Sequence, residues 1–121
     1  MLPIDINNIF SVNESSFDDL CNTVFQFQYQ YNSIYRKWVD LIDALPSERK
    51  IPQKIPALPI SFFKEQQVIT GNWQEQKIFE SSGTTGMVTS RHYVRDLAIY
   101  EQSFIQGFER QYGSIQNWCV L

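Results

Sequence analysis

The chain has 121 residues, of which 43% are hydrophobic and 15% aromatic, and its formal net charge is -3 at pH 7. This length suits one domain rather than two well-packed ones, and the hydrophobic content lies well above that of a disordered chain. The pI is near 5.0 and the basic residues are scattered, so we expect neither nucleic acid nor anionic lipid as a partner.

Three further classes are excluded by what the sequence lacks. Residues 1–5 do not resemble the start of a secretory signal, and there is no run of about 18 consecutive apolar residues of the kind that crosses a membrane. We therefore expect a cytoplasmic protein without a membrane partner, in which Cys21 and Cys119 are reduced. One histidine and the absence of Cys/His spacing argue against a metal site made by side chains.

The first part of the chain is predicted to be helical. After a short helical lead-in at 1–13, apolar residues recur at steps of three and four from Phe17 to Leu45, which is typical of one helix face. Asn32-Ser33 is the weak point at which this run would break into two helices. The aromatic residues of the run are interpreted as core, with a wall for an acyl chain as the alternative. Pro46 ends the helical pattern.

A proline-rich segment and a hairpin are predicted next. Prolines at 52, 56 and 59 indicate an extended connector over 46–60, and 61–64 reads as a short helical turn. Residues 68–70 and 76–80 are predicted to form two strands of a hairpin that turns at Gly71.

Six small residues in a row follow this predicted hairpin. They are Ser81, Ser82, Gly83, Thr84, Thr85 and Gly86. Glycine lets the backbone approach a ligand closely, consecutive N–H groups can surround an anion, and hydroxyls add rotatable donors. The stretch matches neither the Walker A motif nor the dinucleotide fingerprint. From the residues alone, an anion-binding loop and a plain surface turn both stay open.

A helix is predicted from about Ser90 to Arg110, with Gly113 ending it. The layout would then be strand, small-residue loop and helix, which is typical of a nucleotide phosphate site. Arg91 and His92 would lie at the start of this helix, where either could approach an anion, and Arg91 is the stronger candidate. Residues 118–121 read as the beginning of a buried strand.

The stretch Ser-Ser-Gly-Thr-Thr-Gly at 81–86 resembles the phosphate-binding signature of the adenylate-forming superfamily. The segment Leu-Pro-Ile-Ser-Phe-Phe-Lys at 58–64, with Phe-Glu directly before the small-residue stretch, is similar to acyl-protein synthetases of the LuxE type. The aromatic and glutamine-rich run at 25–36 resembles the N-terminal helical region of that family. The likeness extends from about residue 17 to the end.

One departure from the superfamily concerns charge. The commoner continuation after the glycine has Pro-Lys, whereas this chain has Val88 and Thr89 at those places. The lysine that would help to neutralise phosphate is therefore missing from its usual position. Arg91 and His92 are close enough in sequence to replace it.

The resemblance implies an enzyme that activates a carboxylic acid with ATP and Mg²⁺. The acid, a fatty acid or another carboxylic acid, would form an acyl-adenylate, and the acyl group would pass to a thiol of an acceptor protein, either a reductase or an acyl carrier protein. The implied ATP-binding residues are Ser81, Ser82, Gly83, Thr84, Thr85, Gly86 and Arg91. Mg²⁺ would lie near Thr84 and Thr85 through ATP. The resemblance implies no catalytic residue within this chain, because the acyl-accepting cysteine of the family lies far towards the C-terminus.

The fold implied by these observations is a mixed α+β, or α/β, class. We expect one partial domain over 1–121, made of a helical segment (1–45), the connector (46–60) and the start of a nucleotide-binding α/β region (61–121). Such an N-terminal portion would be inactive alone, and its open strand edge could pair with a second copy. Two alternatives stay open: an acyl-CoA synthetase similar to phenylacetate-CoA ligase, and a small non-catalytic module that binds phosphate or peptide or serves assembly.

Overall fold

The computed structural model describes residues 4–46, 51–83 and 86–119, which form five α-helices and one two-stranded antiparallel sheet. The expected mixed α+β class is therefore confirmed. The helices are α1 (Ile6–Phe10), α2 (Phe17–Tyr31), α3 (Ser33–Leu41), α4 (Phe62–Glu65) and α5 (Leu97–Tyr112); the strands are β1 (Lys77–Glu80) and β2 (Arg91–Val94); single 3-10 turns lie at Pro52–Lys54 and Ile115–Asn117. Among these described helices, none combines the length and the apolarity of a bilayer span.

The long helical run breaks at Asn32, as predicted. This residue has extended backbone angles (φ -106°, ψ 104°), which separate α2 from α3. Its N–H donates to the carbonyl of Gln28 at 2.9 Å and so ends α2. Its side-chain Oδ1 accepts the N–H of Tyr35 at 3.0 Å and so caps α3. One buried residue therefore serves both helix ends, α2 through its backbone and α3 through its side chain.

The two helices meet around a small core made by Phe25, Tyr35 and Val39. The rings of Phe25 and Tyr35 pack edge to face, with centroids 6.1 Å apart. The Tyr35 hydroxyl donates to the carbonyl of Pro56 at 2.7 Å, which fastens the connector to α3. Partly buried residues complete the cluster, namely Tyr29, Ala44, Ile55 and Leu58.

α3 ends earlier than the sequence predicts. The helical segment was expected to reach Leu45, but the last helical residue is Leu41, and Asp43 adopts a positive φ of 54°. The N–H of Ala44 then donates to the carbonyl of Val39 at 3.1 Å, which closes the helix end into a turn before Pro46 is reached. Beyond it, residues 47–50 lie outside the described residues, and the connector contains a 3-10 turn rather than being extended throughout.

The hairpin forms in a different place from the predicted one. β1 pairs with β2 in the register Lys77↔Val94, Ile78↔Tyr93, Phe79↔His92 and Glu80↔Arg91. The expected strand at 68–70 does not form. Instead, the Thr70 hydroxyl donates to Gln28 Oε1 at 2.6 Å, and the N–H of Gly71 donates to the carbonyl of Tyr31 at 2.9 Å. These bonds hold this segment against the end of α2 and away from the sheet.

The helix expected from Ser90 begins at Leu97. Residues 91–94 are strand, and Asp96 then caps α5 by accepting the N–H of Ala98 at 2.9 Å. The small-residue stretch therefore lies inside a hairpin, and the expected order of strand, loop and helix is wrong. α5 ends before Gly113, whose φ is 80°, as predicted. The expected buried strand is not seen at Trp118, which is more than half exposed; residues 120–121 lie outside the described residues.

Replacing Asn32 tests its double role. Asn32→Ala removes the cap of α3 and the amide that donates to Thr70 Oγ1 at 3.2 Å. We expect the free energy of unfolding to fall by about 2–4 kcal/mol, since a lost cap costs about 1 kcal/mol and buried partners lose their bonds as well. Urea unfolding measures this. Asn72→Ala, at an exposed position, is the control, and equal losses in both variants would contradict the role of Asn32.

The stability of the fold should depend on alkaline pH through Tyr35. Burial raises the pKa of Tyr35 from 10.0 to about 12, so the unfolded chain loses this proton first as pH rises. We expect a stabilising contribution that is complete below pH 10 and is lost as pH approaches about 12. Tyr29 adds to the same trend, because its hydrogen bond to Asp40 raises its pKa too.

Tyr35→Phe should remove most of this alkaline loss and lower the free energy of unfolding at neutral pH by about 1 kcal/mol, through loss of the bond to Pro56. The measurement is urea unfolding at several pH values. Tyr112→Phe is the matched control, since Tyr112 is exposed and, within the described part of the chain, its hydroxyl makes no hydrogen bond. Unchanged pH dependence in Tyr35→Phe would refute the assignment.

Candidate functional site

The small-residue stretch lies in the loop 81–90, which joins β1 to β2. Two serines close the base of this loop. The N–H of Ser81 donates to the carbonyl of Ser90 at 3.0 Å, and Ser81 Oγ accepts both the N–H (3.0 Å) and the hydroxyl (2.9 Å) of Ser90. Ser90 is buried and Ser81 is exposed, so these bonds are partly buried. Ser81, expected as an ATP contact, therefore serves the closure of the loop and has only its own hydroxyl proton left to donate.

The tip of the loop is exposed and offers donors. Ser82, Gly83 and Gly86 are exposed, and Gly86 has a φ of 90° that favours glycine. Among the described residues, none accepts a hydrogen bond from the three N–H groups or from the Ser82 hydroxyl. The expected contacts Thr84 and Thr85 lie outside the described residues. The described residues on either side of 84–85 thus present exposed donors of the kind that can bind an anion.

Gly83 lies where the two limbs of the loop come close together. A Cβ built on Gly83 would lie 2.9 Å from Cγ2 of Thr89. This separation is too short for two carbon atoms, so any side chain at 83 would push Thr89 away. The glycine is needed here for close packing between the limbs, in addition to the close approach of a ligand that the sequence suggests.

The sequence predicted that Arg91 would lie at the start of a helix. It lies instead at the start of β2. Its Nε is 3.1 Å from Oε1 of Glu80, directly across the sheet, and both side chains are more than half exposed. An exposed pair of this kind contributes little stability. Among the described residues only Glu80 accepts a hydrogen bond from this guanidinium, through Nε, and neither terminal nitrogen has a described partner. The other candidate, His92, stacks on Phe63 with centroids 4.9 Å apart.

A cleft of about 450 Å³ separates the second limb of the loop from α4. It is lined by 63–67 on one side, by 87–89 on the other, and by Arg91 and Tyr93. Two cations, Lys64 and Arg91, therefore share one cleft with the carboxylate of Glu65. Sequence reasoning took Lys64 for a solvated side chain, because it lies 27 positions from Arg91 and no periodic pattern connects the two.

A larger apolar cleft of about 990 Å³ adjoins the first one and shares Phe63 and Tyr93 with it. Side chains of α2, the connector and the segment after α4 line it. Its polar residues Gln28, Asn32 and Thr70 are hydrogen-bonded to one another. An apolar molecule in this cleft would leave none of these groups without a partner, so the cleft suits a hydrocarbon.

Comparison of the chain with protein-family models, with curated proteins and with solved structures finds no match. The resemblance to acyl-protein synthetases therefore depends on the residues named for it. Within the described ranges, no three His, Cys, Asp or Glu side chains come together as metal ligands.

The contact at Gly83 gives a double-mutant test. Gly83→Ala should loosen the loop by about 1 kcal/mol, which is roughly fivefold faster amide exchange at Ser81 and Ser90. Thr89→Ser removes Cγ2 and keeps the hydroxyl, so adding it to Gly83→Ala should restore slow exchange. Hydrogen exchange followed by NMR measures both effects.

This test has one control variant and one outcome that would contradict it. Gly107→Ala places a Cβ on α5 with nothing within 4 Å, and it should leave exchange at the loop unchanged. If the double variant exchanges as fast as Gly83→Ala alone, the contact between the limbs is not the reason for the glycine.

Proposed function

We propose that this chain carries the nucleotide-phosphate loop of an ATP-dependent carboxylate-activating enzyme of the acyl-protein synthetase type. In this reaction the carboxylate oxygen attacks the α-phosphorus of ATP, which gives an acyl-adenylate and pyrophosphate. A protein thiol then takes the acyl group as a thioester, with AMP as the leaving group. The proposal depends chiefly on one observation: the loop is closed at its base by Ser81 and Ser90, and it carries exposed donors at Ser82, Gly83 and Gly86 that no described residue accepts.

The loop would act by binding and charge stabilisation rather than by covalent chemistry. The N–H groups of Ser82, Gly83 and Gly86 would bind oxygens of the β- and γ-phosphates, and the closed base would hold them in place beforehand. Such positioning aligns the α-phosphorus with the attacking oxygen. We assign the hydroxyls of Thr84 and Thr85 to the same phosphates and their Mg²⁺, on the resemblance.

The two clefts support the assignment of the remaining groups. Arg91 lines the smaller cleft beside the loop, where its guanidinium would supply a cation to a phosphate oxygen. The apolar cleft shares Phe63 and Tyr93 with it, so an acid bound there would have its hydrocarbon part away from water. This arrangement favours a carboxylic acid with an apolar body over a small polar one.

Binding of Mg·ATP and Mg·pyrophosphate to the 121-residue chain tests the proposal. We expect NMR shift changes confined to 81–91 and to residues lining the adjoining cleft. Gly86→Ala should weaken binding about tenfold, because the added Cβ disfavours the φ of 90° on which the N–H directions depend.

Gly71→Ala is the matched control, since Gly71 has a φ of 86° and its added Cβ meets nothing closer than 3.8 Å. It has a similar positive φ at a turn outside the loop 81–90 and outside the lining of the smaller cleft, so it should bind as the unchanged chain does. No magnesium-dependent binding by the unchanged chain would refute the proposal. Binding without acid-dependent ATP–pyrophosphate exchange, in the longest form of the protein that the cell makes, would identify a phosphate-binding module instead.

A further inference from the structure

The loop 81–90 contains no charged residue, so a polyphosphate bound there must find its cations elsewhere. The cleft beside the loop supplies two, Lys64 from α4 and Arg91 from β2. Arg91 already pairs with Glu80 at 3.1 Å, which reduces the charge that it offers to a ligand. Lys64 differs, because its ammonium group forms no ion pair or hydrogen bond within the described part of the chain.

The backbone of Lys64 is held in place from two sides. α4 is a single turn, and the two residues before Lys64 both pack on other elements. The ring of Phe62 lies 5.8 Å from that of Trp38 on α3, and the ring of Phe63 stacks at 4.9 Å on His92 of β2. The packing of α4 against both α3 and the hairpin therefore fixes the wall from which Lys64 extends.

We infer that Lys64 is the principal cation for the polyphosphate, which would occupy the cleft between the loop and α4. This inference rests on the proposed function of the loop and adds a second wall to its site. Residues 87–89 of the loop and Lys64 of α4 line this cleft, so the ammonium of Lys64 would reach phosphate oxygens that bind beside that limb of the loop. The N–H of Gly86, which directly precedes this limb, would meet the same phosphate group. A strongly hydrated, mobile ammonium suits several phosphate oxygens at once.

Glu65 decides which form of the polyphosphate fits. Its carboxylate lines the same cleft and would repel a bare polyanion. A magnesium complex carries less negative charge and tolerates this neighbour. We therefore expect Mg·pyrophosphate to bind more tightly than pyrophosphate without magnesium.

The test compares Lys64→Gln, Lys64→Arg and Lys77→Gln in the 121-residue chain by calorimetric titration with Mg·pyrophosphate. Lys77 is the matched control, because it is exposed, lies outside the cleft and loses the same charge. We expect Kd to rise about tenfold for Lys64→Gln, through loss of a charge-assisted contact, and to stay within about threefold for Lys64→Arg. Lys77→Gln should bind as the unchanged chain does.

The outcomes separate this inference from the proposed function. If Lys64→Gln binds normally while Gly86→Ala binds weakly, the role of Lys64 is overturned and that of the loop remains. If Lys64→Gln and Lys77→Gln weaken binding equally, the effect is one of net charge, and the inference is overturned as well. If the unchanged chain binds no Mg·pyrophosphate, the role of Lys64 and the proposed function of the loop are both refuted.

Discussion

The structure depends on the buried amide of Asn32. This side chain caps α3 through Oδ1, while its Nδ2 donates to Gln28 Oε1 at 3.3 Å and to Thr70 Oγ1 at 3.2 Å. A buried amide must find partners for its donors and its acceptor, and here the partners lie on three different segments. The need to satisfy one polar group thereby joins α2, α3 and the segment around Thr70.

This junction determines which strands can pair. With Thr70 bound to Gln28 and Gly71 bound to Tyr31, the chain around 68–71 is committed to the end of α2. β1 therefore pairs with a segment that follows it in the sequence, and not with the preceding segment 68–71. It pairs with β2, and the small-residue stretch becomes the loop of that hairpin.

The chemical consequence is that the serines of this loop have different roles. Ser81 and Ser90 satisfy each other at the base, whereas Ser82, one position further, is exposed with its hydroxyl unengaged by the described residues. The bonds at the base hold the two ends of the loop together before a ligand arrives, which lowers the entropy cost of binding. The same hairpin brings Arg91 opposite α4, so the cations beside the loop come from elements that are distant in sequence.

Local chemistry in the sequence was enough to determine several features. The spacing of apolar residues at steps of three and four predicted the helices α2 and α3, and the polar residues at 32–33 predicted the break between them. Helix periodicity and capping act within a few residues, so both can be recognised from local sequence. Gly113 gave the end of α5, because few other residues tolerate its backbone angles. The stretch 81–86 could be recognised as a candidate site for the same reason, since its glycines and hydroxyls are visible in six consecutive residues.

Only the tertiary structure decided where β1 finds its partner, where α3 ends, and which side chains surround the loop. Residues 68–70 have the apolar, β-branched character of a strand, yet contacts with α2 outweigh that preference. Residues 91–94 could be read as the first turn of a helix until pairing with β1 made them a strand. The cleft that joins Lys64 to Arg91 follows from the packing of Phe62 and Phe63 on α3 and β2. Such contacts join residues tens of positions apart, and local propensity carries no information about them.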